Sequence, residues 1–188
     1  TYRTPIAGNT PSGFFRDYFK KPMGISSFVQ PPQISAGGPD HFVYTSVSEN
    51  TSIKVQVIDY IESDFGANYE PRLLFESDKT VSDGNLGDPD KFNRPVSTLV
   101  TGDGTNFIFV VDEAKDSLYQ FTSTGLEGVQ PPPGAASTKY QMASFGGRGD
   151  ALTQFNGPTA VAYKNKILWV CDNGNRRVLR FKLTTDFQ

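Results

Sequence analysis

Apolar residues in this chain come in short runs, and where they alternate with polar ones they do so with a period of two. Ile53, Val55 and Val57 are interleaved with Lys54 and Gln56, the pattern of a strand with one face buried. Residues 41–45, 118–121, 159–163 and 178–181, together with Ile108–Asp112 and Ile167–Asp172, are short, rich in β-branched or aromatic residues and bounded by turn formers, so each is predicted as a strand. No long amphipathic helix is expected. Residues 14–19 offer one helical turn at most ahead of Pro22, because the residue before a proline is pushed out of the α region. The connections Gly37-Gly38-Pro39-Asp40, Ser82-Asp83-Gly84-Asn85, Thr101-Gly102-Asp103-Gly104 and Asp172-Asn173-Gly174-Asn175 are dense in turn residues, which predicts antiparallel hairpins.

The strands recur in order. Phe19-Lys20-Lys21-Pro22, Phe92-Asn93-Arg94-Pro95 and Phe155-Asn156-Gly157-Pro158 spell F-x-x-P three times, with Gly24 two residues after the first proline. After the second and third copies comes an apolar strand that closes on Asp112 or Asp172, and six residues beyond each Asp lies Leu118 or Val178 in a further strand. The prolines are 73 and 63 residues apart, long enough for four strands with enlarged loops. A repeat of this kind cannot bury its apolar face alone and must stack on its neighbours, as in a propeller or solenoid.

The pattern resembles the NHL-repeat family, whose units carry a leading F-G-x-x-G stretch, then F-x-x-P, a valine strand, and an apolar strand closed by D-x-x-N-x-R. The third copy matches most fully, through Phe145-Gly146-Gly147-Arg148-Gly149, Phe155, Pro158, Val161, Asp172, Asn175 and Arg177. The second keeps Gly84, Gly87, Phe92, Pro95 and Asp112, but has Lys115-Asp116-Ser117 where asparagine and arginine stand in the family. In the first, residues 46–50 replace the aspartate turn. The resemblance implies an all-β, propeller-like array of about three four-stranded blades, tiled as residues 14–62, 63–122 and 140–183 of a single domain. Residues 2–8 would be the outer strand of a preceding blade, and residues 73–75 another outer strand. Propellers close with typically four to eight blades, so this half or partial propeller is expected to be completed by a protein partner or a second copy.

Elementary chemistry accounts for the repeated positions. Proline at the start of a strand gives up a donor that the ladder does not need there. Asp112 and Asp172, each at a strand end, suit acceptance of N–H groups from their own turn, a structural role rather than a catalytic or metal-binding one. The Pro-rich segment 130–137 should run extended on the surface. Pro131, Pro132 and Pro133, with Tyr140 and Arg176, are candidate contact residues for a partner, although a stiff connector between units is the more ordinary explanation of the prolines.

Composition narrows the function classes. With 37% hydrophobic and 13% aromatic residues, a full core can form. The 18 basic and 20 acidic side chains give no positive field for a nucleic-acid backbone, and Arg176, Arg177 and Arg180 form the one local basic cluster. Cys171, the sole cysteine, excludes an internal disulfide and reads as a small core hydrophobe. His41 is the only histidine, so a zinc site or the multi-histidine centre of propeller enzymes is not expected. Arg148-Gly149-Asp150 reads as an integrin tripeptide but falls on a glycine turn of the repeat itself. Asp83-Gly84-Asn85 and Asp103-Gly104 could offer oxygens to calcium, without the spacing of an EF-hand loop. No apolar run reaches the length of a bilayer span.

These readings lead to two functional expectations. The first is a non-catalytic interaction or scaffold module, a subunit of a larger assembly, with no cofactor and no resident metal. The alternative is a carbohydrate- or calcium-binding propeller, or a degenerate propeller enzyme. The absence of an initiator Met, the single cysteine and the resemblance to NHL-repeat lipoproteins suit an exported protein of the cell envelope, lipid-anchored upstream of Thr1.

Overall fold

The computed structural model describes residues 22–29, 41–47, 55–63, 66–71, 86, 91–102, 107–122, 125–128, 134 and 144–183. These residues are all-β, without a helix, and hence without a helix long and apolar enough to cross a membrane. The expected helical turn at 14–19, the strands at 2–8 and 73–75, Phe19, Pro131, Pro132, Pro133, Tyr140 and both calcium candidates lie outside the described residues.

The strands are β1 (Pro22–Val29), β2 (His41–Val47), β3 (Val55–Ser63), β4 (Gly66–Pro71), β5 (Pro95–Val100), β6 (Ile108–Asp112), β7 (Ser117–Phe121), β8 (Phe145–Gly146), β9 (Pro158–Lys164), β10 (Ile167–Asp172) and β11 (Arg177–Lys182). They form antiparallel sheets of four strands (β1-β2-β3-β4), four strands (β5-β6-β7-β8) and three strands (β9-β10-β11), each ordered as a meander. Two boundaries differ from the expected tiles. The first sheet extends through β4 to Pro71, past residue 62, because Tyr69 pairs with Tyr60. Phe145–Gly146, expected to open the third tile, instead pairs back onto Leu118 and Ser117 as the fourth strand of the second sheet.

All three sheets begin alike. Pro22, Pro95 and Pro158 are each the first residue of the first strand, where no ladder donor is missed. A register shift follows each one: Pro22 pairs with Val47 and Gly24 with Ser46, Pro95 with Asp112 and Ser97 with Val111, Pro158 with Asp172 and Ala160 with Cys171. The extra residue, Met23, Val96 or Thr159, is a β-bulge at one repeated position, which raises the local twist.

First strands lie side by side, β1 against β5 and β5 against β9. A serine links each pair: the Ser26 hydroxyl accepts the Val100 N–H at 3.1 Å, and the Ser97 hydroxyl accepts the Val161 N–H at 3.3 Å. The apolar core divides between the two junctions. Val55, Leu86, Phe92, Val100, Ile108, Val110 and Phe121 fill one between the first and second sheets. Val96, Phe109, Val111, Leu118, Phe155, Leu168 and Val170 fill the other, between the second and third. Alternation makes this possible, since successive β6 residues point to opposite faces and both faces of the second sheet are covered. In the second and third units the opening phenylalanine packs on the end of the third strand, with Phe92 and Phe121 centroids 6.0 Å apart and Phe155 and Phe181 6.4 Å apart.

Candidate interaction face

The repeated aspartates occupy turns. Asp112 is fully buried at the end of β6; its Oδ2 accepts the Asn93 N–H at 2.6 Å, and its Oδ1 accepts the N–H groups of Arg94, Ala114 and Lys115 at 3.0–3.1 Å. One carboxylate thereby holds the F-x-x-P entry against the β6–β7 turn. Asp172 does the same at the end of β10 with different donors. Its Oδ1 accepts the Asn156 N–H at 2.7 Å, while its Oδ2 accepts Asn175 Nδ2 and Arg177 Nε, each at 2.8 Å. Burial is the strongest single influence on Asp172 and pushes its pKa up. The Asn156 N–H, Asn175 and Arg177 together outweigh it and hold the carboxyl below its ordinary value.

Arg177 and Asn175 extend this network to the 148–154 segment. Arg177 donates to the carbonyls of Asp150, Ala151 and Gln154, and Asn175 Nδ2 to that of Gly149 at 2.8 Å. The Arg148-Gly149-Asp150 tripeptide is therefore part of an internal clamp through the carbonyls of Gly149 and Asp150. A β-carbon at Gly149 would meet Gln154 Oε1 at 2.2 Å, the far end of a flexible side chain that would have to swing aside.

Asp116 and Arg176 are the fourth residues after the two repeated aspartates, and both have positive φ, 49° and 53°. Asp116 is buried and reaches the third sheet, where its Oδ1 accepts the Gly157 N–H at 2.6 Å. Arg176 is exposed. The same contrast runs along the whole face. Counted from the aspartates, Phe109, Val111 and Leu118 of the second sheet correspond to Trp169, Cys171 and Val178 of the third. The first three are 1%, 0% and 1% exposed, because the third sheet covers them, whereas Val178 is 62% exposed and Trp169 and Cys171 are half-buried. Val96 and Gln120, both buried, correspond to the exposed Thr159 and Arg180.

Cross-strand register sets the composition of this open face. Cys171 lies between Ala160 and Val178, Trp169 between Ala162 and Arg180, and Ile167 between Lys164 and Lys182. Residues directly opposite share a face, so an apolar centre is bordered by three cations. An open hollow of about 390 Å³ sits at its end, beside Thr159, Cys171, Arg176 and Val178.

The sequence-predicted site residues thus separate into two groups. Phe92, Pro95, Phe155 and Pro158 are buried, and Asp112, Asp172, Asn175 and Arg177 build the turn clamps. Pro22 and Gly24 begin β1, and Arg176 alone of the candidate contact residues is described, at the rim of the open face. Sequence reading missed Asp116, whose position is filled by arginine in the third unit, and the open face itself, whose residues are as apolar as those buried one sheet earlier. Among the described residues no group of three or more His, Cys, Asp and Glu side chains could hold a metal ion. No family model matches this chain, and no curated protein matches it, so the NHL-repeat resemblance rests on the repeated residues themselves.

Proposed function

We propose that the chain is a non-catalytic interaction module of NHL-type propeller blades, a subunit of a larger assembly, and that it works through the open face of the third sheet. The observation that carries this reading is the contrast between Leu118 and Val178, which hold equivalent positions at 1% and 62% exposure. An apolar strip on a sheet face, bordered by charge, has the anatomy of a protein contact, with Trp169 as its aromatic anchor. Three further features support a propeller arrangement: the bulge repeated after each opening proline, the side-by-side first strands, and the serine links between them. An exported, envelope-associated setting belongs to the same proposal and rests on the composition and the resemblance.

A photo-activated cross-linker introduced at position 178 tests this in the producing cells. The expected result is a discrete protein adduct, absent when the probe is moved to Leu152, which is 76% exposed and outside the face. Equal or absent labelling at both positions would remove the reading.

A further inference from the structure

The 147–155 segment turns its backbone inward and its side chains outward. The Gly147 N–H donates to the Asp116 carbonyl at 2.8 Å and the Gly149 N–H to the Phe155 carbonyl at 3.0 Å, while Arg148 forms a parallel bridge with Phe155. The carbonyls of Gly149, Asp150, Ala151 and Gln154 are taken by Asn175 and Arg177. A surface loop pinned at this many points is preorganised, so a partner that reads it has little left to order on binding.

The clamp leaves the two charged ends of the Arg148-Gly149-Asp150 tripeptide over. Arg148 and Asp150 are exposed, Gly149 between them is half-buried against Gln154, and none of the three has positive φ. This is the alternation of an extended run, which sends the guanidinium and the carboxylate out on one side of the loop. The Arg148 side chain is 77% exposed, and its 3.9 Å pair with Asp116 is of the solvent-screened kind that restrains little. The Asp150 carboxylate has no hydrogen bond or ion pair among the described residues. Two residues on, Leu152 is 76% exposed, more than any other large hydrophobic residue described.

We propose that Arg148 and Asp150 form a ligand for a cell-surface adhesion receptor that reads Arg-Gly-Asp. The Asp150 carboxylate, an oxygen ligand with no internal partner, completes the coordination of the receptor's divalent cation. Arg148 pairs with carboxylates of an acidic pocket, and Leu152 adds an apolar contact beside the acid. This surface is separate from the open face of the third sheet. Its use requires the exported setting proposed above and a receptor on a cell other than the producer, so a probe at Leu152 stays unlabelled in the producing cells.

Surface plasmon resonance tests it, with the full chain and a purified integrin ectodomain that reads Arg-Gly-Asp, in the presence of Mg²⁺. The expected result is saturable binding that EDTA abolishes and a linear Arg-Gly-Asp peptide competes away. Asp150→Glu should weaken it roughly tenfold or more, because the charge stays but the carboxylate moves one methylene off the cation; Arg148→Ala should weaken it similarly. Neither change touches the carbonyls held by the clamp, so both variants should keep the parent's circular dichroism and melting temperature. Val178→Asp, on the open face, should leave this binding unchanged. No binding, binding indifferent to EDTA or to Asp150→Glu, or an equal loss on Val178→Asp would overturn the inference. Cross-linking at position 178 decides the third-sheet reading separately.

Discussion

Asp116 ties the second sheet to the third: from the β6–β7 turn its Oδ1 accepts the Gly157 N–H at 2.6 Å, immediately before the proline that opens β9. Its backbone carbonyl accepts the Gly147 N–H at 2.8 Å, so one residue holds both the lead-in and the opening of the third unit. At the corresponding place in the third sheet stands Arg176, which cannot accept an N–H and calls for an acidic or carbonyl partner instead.

Asp116→Ala should destabilise the chain by about 2 kcal/mol, since it strips a charged acceptor from a partly buried N–H and puts a β-carbon residue without a local hydrogen bond at positive φ. Asp116→Asn should cost less than half of that, because asparagine tolerates the left-handed region and keeps a carbonyl acceptor. Urea unfolding of the three proteins checks the order. Equal stabilities would show that the Asp116–Gly157 bond does not hold the sheets together.

The strands were legible because their pattern is local. Ile108–Asp112 and Ile167–Asp172 are apolar runs closed by an Asx turn, and each folds as written. Partner choice was not legible. Nothing within Phe145-Gly146 distinguishes an opening of the third unit from a fourth strand of the second, because that depends on the β7 edge it meets. The open face was hidden for a related reason: Leu118 and Val178 are equally apolar in the chain, and only the presence or absence of a covering sheet separates them. The clamp residues Asp172, Asn175 and Arg177 were readable as a motif because their bonds are made within one turn and its entry loop.

Thr98→Val should stabilise the protein by about 1 kcal/mol. Thr98 is 5% exposed and its hydroxyl has no hydrogen-bond partner among the described residues, while the equivalent position in the third sheet holds Val161. Valine keeps the branched shape and the strand preference and removes the unpaired hydroxyl. Denaturant midpoints measured with an unchanged m-value check this; a lower midpoint would mean that the hydroxyl is satisfied.

Asp172 gives the chain a defined acid limit. Its folded-state pKa lies below its ordinary value, so its contribution is fully present above about pH 4, the unfolded carboxylate range, and is lost as pH falls through the folded value. Asp172→Asn should therefore cost about 2–3 kcal/mol at pH 7, where it loses charge-assisted bonds to Asn156 and Arg177, and progressively less at lower pH. Thermal unfolding between pH 2 and pH 7 should give two curves that converge on the acid side. Parallel curves would mean that Asp172 is not held ionised by these donors.

Gly146→Ala isolates the fourth strand of the second sheet. Gly146 has φ of 148°, and a β-carbon there would meet the Asp116 carbonyl oxygen at 2.4 Å and Ser117 Cα at 2.6 Å, both backbone atoms that cannot swing aside. The pairing it would break is only two residues long, so there is little else to hold β8 in register. Loss of β8 also withdraws Phe145 from Phe155 and Phe181, whose ring centroids lie 5.7 Å and 4.9 Å away. Strain and lost packing together should cost about 3 kcal/mol or more. Hydrogen exchange should then speed up first at the Gly147 N–H, which donates to Asp116, while the β5–β6 ladder stays protected until global unfolding. Uniform acceleration across the second sheet would instead mean that β8 is part of its cooperative core.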